Sequence, residues 1–331
     1  MDYIHVRELH KTFVYYRKQA GLKHSLKNLF ARKSLLKEAV KSVSFDIGPG
    51  ECVGFLGPNG AGKTTTLKML SGILYPTSGD VQVLGYVPWE RKNDFKRLFS
   101  IVMGQKNQLW WDLPASESIY LNKCIYDIDD DLYRRNLAEL SEMLEVQDLL
   151  DVQVRRLSLG ERMKMELIAA LIHRPRLLYL DEPTIGLDFP SQKKVRAFLK
   201  YYNEQYGATM LLTSHYMKDV EDLCKRTIII HDGSLVYDGD LHRINDLFGE
   251  QKIIRLKFSE PVAESRLAKF GKIVSIDEYN AVLELPKYRL KEVSRAVLDS
   301  FPILDWTIED VPIEESISML YGKEPVGAFI G

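Results

Sequence analysis

Cysteine is scarce in this chain: its 331 residues hold three, Cys52, Cys124 and Cys224. An odd number with no C-x-x-C spacing excludes a disulfide-built scaffold and a cysteine-built zinc site. An excess of one charge is lacking too, since 45 basic side chains face 46 acidic ones and leave a net charge of −1. No global field draws a polyanion, so nucleic acid is not an expected partner. Long apolar runs are absent; the longest, 167–172, has six residues, where a membrane-crossing helix needs ~20. The opening MDYIHVRELHKTF has neither the apolar stretch nor the small-residue cleavage site of a secretory signal, so the chain is expected in the cytosol with reduced thiols. What is present is the composition of a folded protein, 45% hydrophobic and 27% charged. At ~100–200 residues per domain the length suits two domains.

Short β-rich runs at 52–56, 101–103, 177–180, 209–212 and 227–230 alternate with helical patterns up to about residue 245. Several are apolar almost throughout, as strands covered on both faces must be, which predicts an α/β domain over 1–250. Helical spacing is clear in 132–150, where Leu137, Leu140 and Leu144 recur among charges, and again in 161–172. Residues 251–331 read as a second unit in the order βαββαβ. Its strands are near 253–258, 272–276, 281–285 and 304–309, and its helices at 263–269, 288–300 and 313–321. That order predicts a small α+β, ferredoxin-like layer. Between 14 and 38 stand seven basic residues against the single acid Glu38, with Leu22, Leu26, Leu29 and Phe30 on one helical face. This predicts a basic amphipathic insertion, packed on its own domain or turned toward a membrane surface or membrane-bound partner.

After the run ECVGFL comes Gly57-Pro58-Asn59-Gly60-Ala61-Gly62-Lys63-Thr64, which fits GxxxxGK[ST], followed by a helical stretch from Thr65. A glycine-rich turn lets backbone N–H groups point inward around phosphate oxygens, and the next helix adds its positive end. Lys63 is placed to bridge the β and γ phosphates, and the Thr64 hydroxyl to hold Mg2+. Downstream, LLYLDE is an apolar strand ending in two carboxylates. Asp181 would fix the metal and Glu182 could polarise a water for attack on the γ phosphate. Ser158-Leu159-Gly160-Glu161 opens a helix; Ser158 and Glu161 fit a capping box, and the same helix end is also a candidate anion site.

The order of these pieces resembles the nucleotide-binding subunits of ATP-binding cassette transporters: phosphate loop, Gln105 after SIVMG, LSLGE, LLYLDE with Pro183, Gly186-Leu187-Asp188, and His215 after TMLLTS. The separations agree as well, with 42 residues from Lys63 to Gln105, 53 to Ser158, 23 to Asp181, and 33 from Glu182 to His215. The resemblance, covering about 1–245, implies a P-loop NTPase cassette with a core sheet and a helical subdomain. It implies ATP and Mg2+ held between two cassette subunits, identical or homologous. The phosphate loop of one, including Thr65, would face Ser158 and Gly160 of the other. Gln105 would join the metal and the attacking water to a membrane permease, Asp188 would connect the two sites, and Glu182 with His215 would carry hydrolysis. Phe13 would stack on adenine, with Tyr15 and Tyr16 as rivals.

Two positions depart from the common LSGGQ: Leu159 and Glu161. Leu159 removes backbone freedom, and Glu161 brings a negative charge toward a phosphate-binding helix end unless the capping box engages it. The stretch GPNGAGKTTTLKMLSGILYPTSGDVQVLGY is similar to cassettes of drug, antibiotic and polysaccharide efflux. The expectation is therefore an exporter ATPase, peripheral on the cytoplasmic face of the membrane. The alternatives are a soluble cassette acting on ribosomes or DNA, and an importer cassette regulated through its C-terminal unit.

Overall fold

The computed structural model describes residues 2–16, 34–104, 106–214, 216–244, 251–311, 317 and 329–330. The chain divides into two compact units, residues 1–239 with 327–331, and residues 240–326.

In the first unit, β1 (Ile4–Tyr16) and β2 (Ser34–Ile47) form a long antiparallel pair, and β4 (Ser78–Val83) joins β1 on its other side. Between these sheet strands the chain makes β3 (Cys52–Leu56) and helix α1 (Lys63–Leu70). After β4 come α2 (Asn93–Lys96), β5 (Phe99–Met103), α3 (Ala115–Tyr126), α4 (Asp130–Leu144) and α5 (Leu159–Leu171). The rest of the unit is β6 (Leu177–Asp181), α6 (Phe189–Tyr206), β7 (Thr209–Thr213), α7 (Met217–Leu223), β8 (Arg226–His231) and β9 (Ser234–Asp240).

A seven-stranded sheet has β9, β8, β3, β7, β6 and β5 in that order, with the two-residue strand Phe329–Ile330 outside β9. The pairs β3/β8, β3/β7, β7/β6 and β6/β5 are parallel. Residues 177–180 are completely buried, as the unbroken apolar reading requires of a central parallel strand. The core holds side chains of both sheets and of α1 between them, among them Ile4, Val43, Phe55, Met69, Tyr179 and Ile228. Each large apolar side chain so buried contributes about 1.5–3 kcal/mol. Because the strands run parallel, their C-terminal ends share one edge of the sheet, where loops can gather a site.

The 14–38 expectation is corrected at both ends. Val14, Tyr15 and Tyr16 continue β1, and β2 begins at Ser34, with Val14 opposite Leu36 and Phe13 opposite Lys37. The aromatic and β-branched run TFVYY finds cross-strand partners, which outweighs the helical pattern at this end. Leu22, Leu26, Leu29 and Phe30 lie outside the described residues.

The second unit contains β10 (Gln251–Phe258), the one-turn α8 (Glu264–Leu267), β11 (Lys272–Ile276), β12 (Asn280–Pro286), α9 (Leu290–Ser300) and β13 (Ile303–Asp310). Its sheet order is β11-β12-β10-β13, antiparallel throughout. This is the ferredoxin-like arrangement expected from the sequence. One face of β10 and β12 (Ile254, Leu256, Phe258, Ala281, Leu283, Leu285) packs with Leu267, Val293, Val297 and Phe301. Of the last expected helix, 313–321, only Ile317 is described.

Candidate active site

The turn between β3 and α1 places the phosphate loop at the C-terminal edge of the parallel sheet. Gly62, which caps α1, has φ +109°, and a Cβ there would come 2.4 Å from the Ala39 carbonyl oxygen; only glycine fits. Lys63 is almost fully buried, and its Nζ donates to the carbonyls of Gly57 (2.6 Å) and Pro58 (3.2 Å). Burial pushes its pKa down, against the pull of Glu182 and Asp181. An anion in the loop favours the charged form, so phosphate binding and lysine protonation reinforce each other.

The carboxylates come from β6. Thr64 Oγ1 stands 3.2 Å and 3.5 Å from the two oxygens of Asp181, and Thr213, at the end of β7, donates its hydroxyl to Asp181 Oδ1 at 2.6 Å. A hydroxyl and a carboxylate this close form the hard oxygen set that magnesium accepts. Glu182 has φ +57°, a conformation uncommon outside glycine. Its N–H donates to the Thr213 carbonyl (3.0 Å) and its own carbonyl accepts from Ile185 (3.2 Å). Glu182 lines a cavity of about 200 Å³ with Phe13, Lys37, Asn59, Lys63 and Thr64; Ala39, Gly60, Gly62 and Thr65 complete it. Phe13 is at its wall, 38% exposed, with Lys11 Nζ 5.3 Å from the ring centroid. Tyr15 is exposed on the same strand and is not among the lining residues; nothing is described of the Tyr16 side chain. Pro58 and Ala61 shape the loop, the Pro58 carbonyl accepting from Ala61 N–H at 3.1 Å.

The LSLGE element lies at the start of α5. Ser158 Oγ accepts from the Glu161 N–H (3.3 Å), while Glu161 Oε2 accepts from the Ser158 N–H (2.8 Å). The capping box is complete, and hydrogen bonds to the Glu161 carboxylate from the Ser158 N–H and the Ser158 hydroxyl hold it below the usual carboxylate range. Gly160 allows a close approach of the two helix starts, since a Cβ there would come 2.4 Å from Ser191 Oγ and 3.0 Å from Ser191 Cβ. Ser191 opens α6, whose cap is Asp188: Asp188 Oδ1 accepts from the Ser191 N–H at 2.8 Å. Ser158, Gly160 and Asp188 thus form one packed surface of the chain, built on two helix N-termini.

Gln105 and His215 lie outside the described residues. Two features escaped the sequence reading. Lys37 reaches the cavity only because β2 pairs with β1, and no local motif announces that. Asp219 is completely buried on α7 and accepts from Thr184 Oγ1, from Ser214 Oγ (2.6 Å) and from Arg196 Nη1 (3.0 Å). It ties the loop after Glu182 and the residue before His215 to α6. Its one sequence signal is an acid on the apolar side of a short helix.

Residues 40–185 match the family model described as "ABC transporter", and residues 250–309 match "EvrA-like ABC transporter, C-terminal domain". Among relatives, the chain is 34% identical over 235 residues to the linearmycin resistance ATP-binding protein LnrL of Bacillus subtilis (strain 168), covering 71% of this chain and 74% of that one. It is 32% identical over 279 residues to the Nod factor export ATP-binding protein I of Neorhizobium galegae, covering 80% of each. A solved ATP-binding subunit of an ABC transporter superposes with TM-score 0.61 at 25% identity, over 74% of this chain and 92% of that one. A dimeric bacterial ABC transporter cassette shares the fold, with TM-score 0.60 at 24% identity over 72% and 98% of the two chains. By these sequence relatives and this fold, the chain belongs to the ATP-hydrolysing, ATP-binding subunits of ABC transporters.

Proposed function

We propose that this subunit powers an exporter, working as a head-to-tail pair of cassettes against membrane permeases on the cytoplasmic face. The observation that carries hydrolysis is the meeting of Lys63, Thr64 and Glu182 around one cavity at the sheet edge, with Asp181 3.2 Å from the Thr64 hydroxyl. The loop amides and Lys63 grip the β and γ phosphates, and Phe13 offers its face to the adenine. Thr64 and Asp181, with Gln105, would hold magnesium, which supplies charge neutralisation between phosphate oxygens. Glu182 takes a proton from the attacking water, with His215 orienting it. Ser158 and the Gly160 amide, from the second subunit, complete the γ-phosphate pocket, and Asp188 beside them links the two sites.

Export is supported by the linearmycin resistance and Nod factor export relatives. Among the described residues no helix is long and apolar enough to cross a membrane, which fits permeases carried on other chains. The test is ATP turnover: Glu182→Gln should bind ATP with near wild-type affinity and lose about 10²-fold or more in rate. Lys63→Ala should weaken ATP binding itself. Unimpaired turnover in Glu182→Gln would remove the assigned base.

A further inference from the structure

Two of the three cysteines face each other. Cys52 opens β3 and Cys224 directly follows α7, 172 positions later, yet their Sγ atoms lie 3.5 Å apart and the two thiols hydrogen-bond to each other. Cys52 and Gly54 share one face of β3, because side chains two apart on a strand point the same way. Over that face lies the end of α7: a Cβ at Gly54 would stand 2.7 Å from Val220 Cγ1 and 3.8 Å from Cys224 Cβ. The glycine thus lets α7 settle directly on the strand, and that close approach brings Cys224 to Cys52. The neighbouring strand fixes the register. Val53 pairs with Arg226 of β8, and Arg226 is held by Glu51 (3.0 Å) and Asp238 (2.7 Å).

The sulfurs stand 3.5 Å apart against the ~2.05 Å of a disulfide bond, a gap that rotation of two short side chains closes. The two thiols are not equivalent. Cys52 is partly exposed, whereas Cys224 is buried. The Cys52 thiol beside it and its burial push the Cys224 thiol well above the usual cysteine value, and a covered, protonated thiol is a poor first nucleophile. A small oxidant therefore meets Cys52 first, with Cys224 already in place as the second thiol.

We propose that Cys52 and Cys224 form a reversible oxidation site, at which a hydroperoxide oxidises Cys52 and Cys224 then closes a disulfide between β3 and α7. In the first step the Cys52 thiolate attacks a peroxide oxygen, the O–O bond breaks, and Cys52 becomes a sulfenic acid. The other peroxide oxygen leaves with the thiol proton, as water or an alcohol. In the second step the Cys224 sulfur attacks the Cys52 sulfur, the S–S bond forms and the S–O bond breaks. The hydroxyl departs as water with the Cys224 proton. The two thiols have then given two electrons and two protons to the peroxide, and a dithiol reductant returns them by exchange. The site is at the start of β3, whereas the phosphate loop follows its end.

The test uses the full chain carrying Cys124→Ser, which removes the exposed third thiol. It is treated with hydrogen peroxide up to the dose that fully oxidises Cys124 of the wild type. The protein is then unfolded, and its free thiols are alkylated and counted by intact mass. The expected result is loss of both thiols together with two hydrogens and no added oxygen. Dithiothreitol should restore both thiols, and a peptide map of the oxidised protein should join residue 52 to residue 224. With Cys224→Ser added, the remaining thiol should gain oxygen instead, because no second thiol is in reach. Thiols that both stay alkylatable, oxygen addition without the loss of two hydrogens, or a link between two chains would overturn the proposal.

Discussion

The two oxygens of Asp181 have different neighbours. Thr213 holds Oδ1 at 2.6 Å, leaving Oδ2 nearer Thr64 at 3.2 Å. The threonine therefore positions the carboxylate for the metal, and Thr213→Val should lower turnover about tenfold, on the order of one charge-assisted hydrogen bond, while raising the magnesium needed for half-maximal rate. A magnesium titration reads this directly; an unchanged requirement would leave Thr213 a space-filling role. Glu161, the departure from the common motif, is accounted for by its cap. Its folded pKa is lowered, so its contribution is fully present above the ordinary glutamate value of ~4.3 and is lost as pH falls through the lowered one. Urea unfolding of Glu161→Gln should match the wild type to within about 1 kcal/mol at pH 7. Its acid limb should be flatter below pH ~4.5, and parallel limbs would refute the assignment. The capping box was legible because its partners are three residues apart. Lys37 in the cavity was not, because its place depends on a strand pairing.

At the scale of elements, α5 and α7 show how buried polar groups bind helices to the loops of the site. Glu166, just past the middle of a helix with almost every residue from Gly160 to Leu171 buried, accepts from the Gln108 N–H at 2.9 Å, and burial pushes its pKa up. Asp219 does more, gathering Thr184, Ser214 and Arg196. Asp219→Ala leaves the Arg196 guanidinium, which is 4% exposed, its ion pair with Asp222 (2.9 Å) but takes the acceptor from Thr184 and Ser214, and should cost about 2–4 kcal/mol in urea unfolding. A loss under ~1 kcal/mol would mean that this network is not what joins the two loops to α6. The central strands were readable from sequence because apolar runs covered on both faces leave a continuous signal. The ends of the β1/β2 hairpin were not, because Val14 and Leu36 are exposed and their pattern mimics a helical face. The single turn of α8, where the sequence suggested a longer helix, reflects how few of its side chains are buried: Leu267 alone.

For the whole molecule, the phosphate loop and the two carboxylates lie within the first unit, as does the LSLGE surface of Ser158, Gly160 and Asp188, built on the starts of α5 and α6. Motif order in the sequence was enough to place the chain among ABC transporter ATP-binding subunits. The function proposed for the cassette requires two copies, or a copy and a homologue, to close on nucleotide. The most direct test is the molar mass of Glu182→Gln by light scattering, with and without saturating ATP and magnesium, with bound nucleotide quantified in the same sample. The account predicts a shift from monomer to dimer on ATP that Ser158→Ala weakens. A protein that binds ATP fully and stays a monomer, with permease supplied as well as without it, would contradict it.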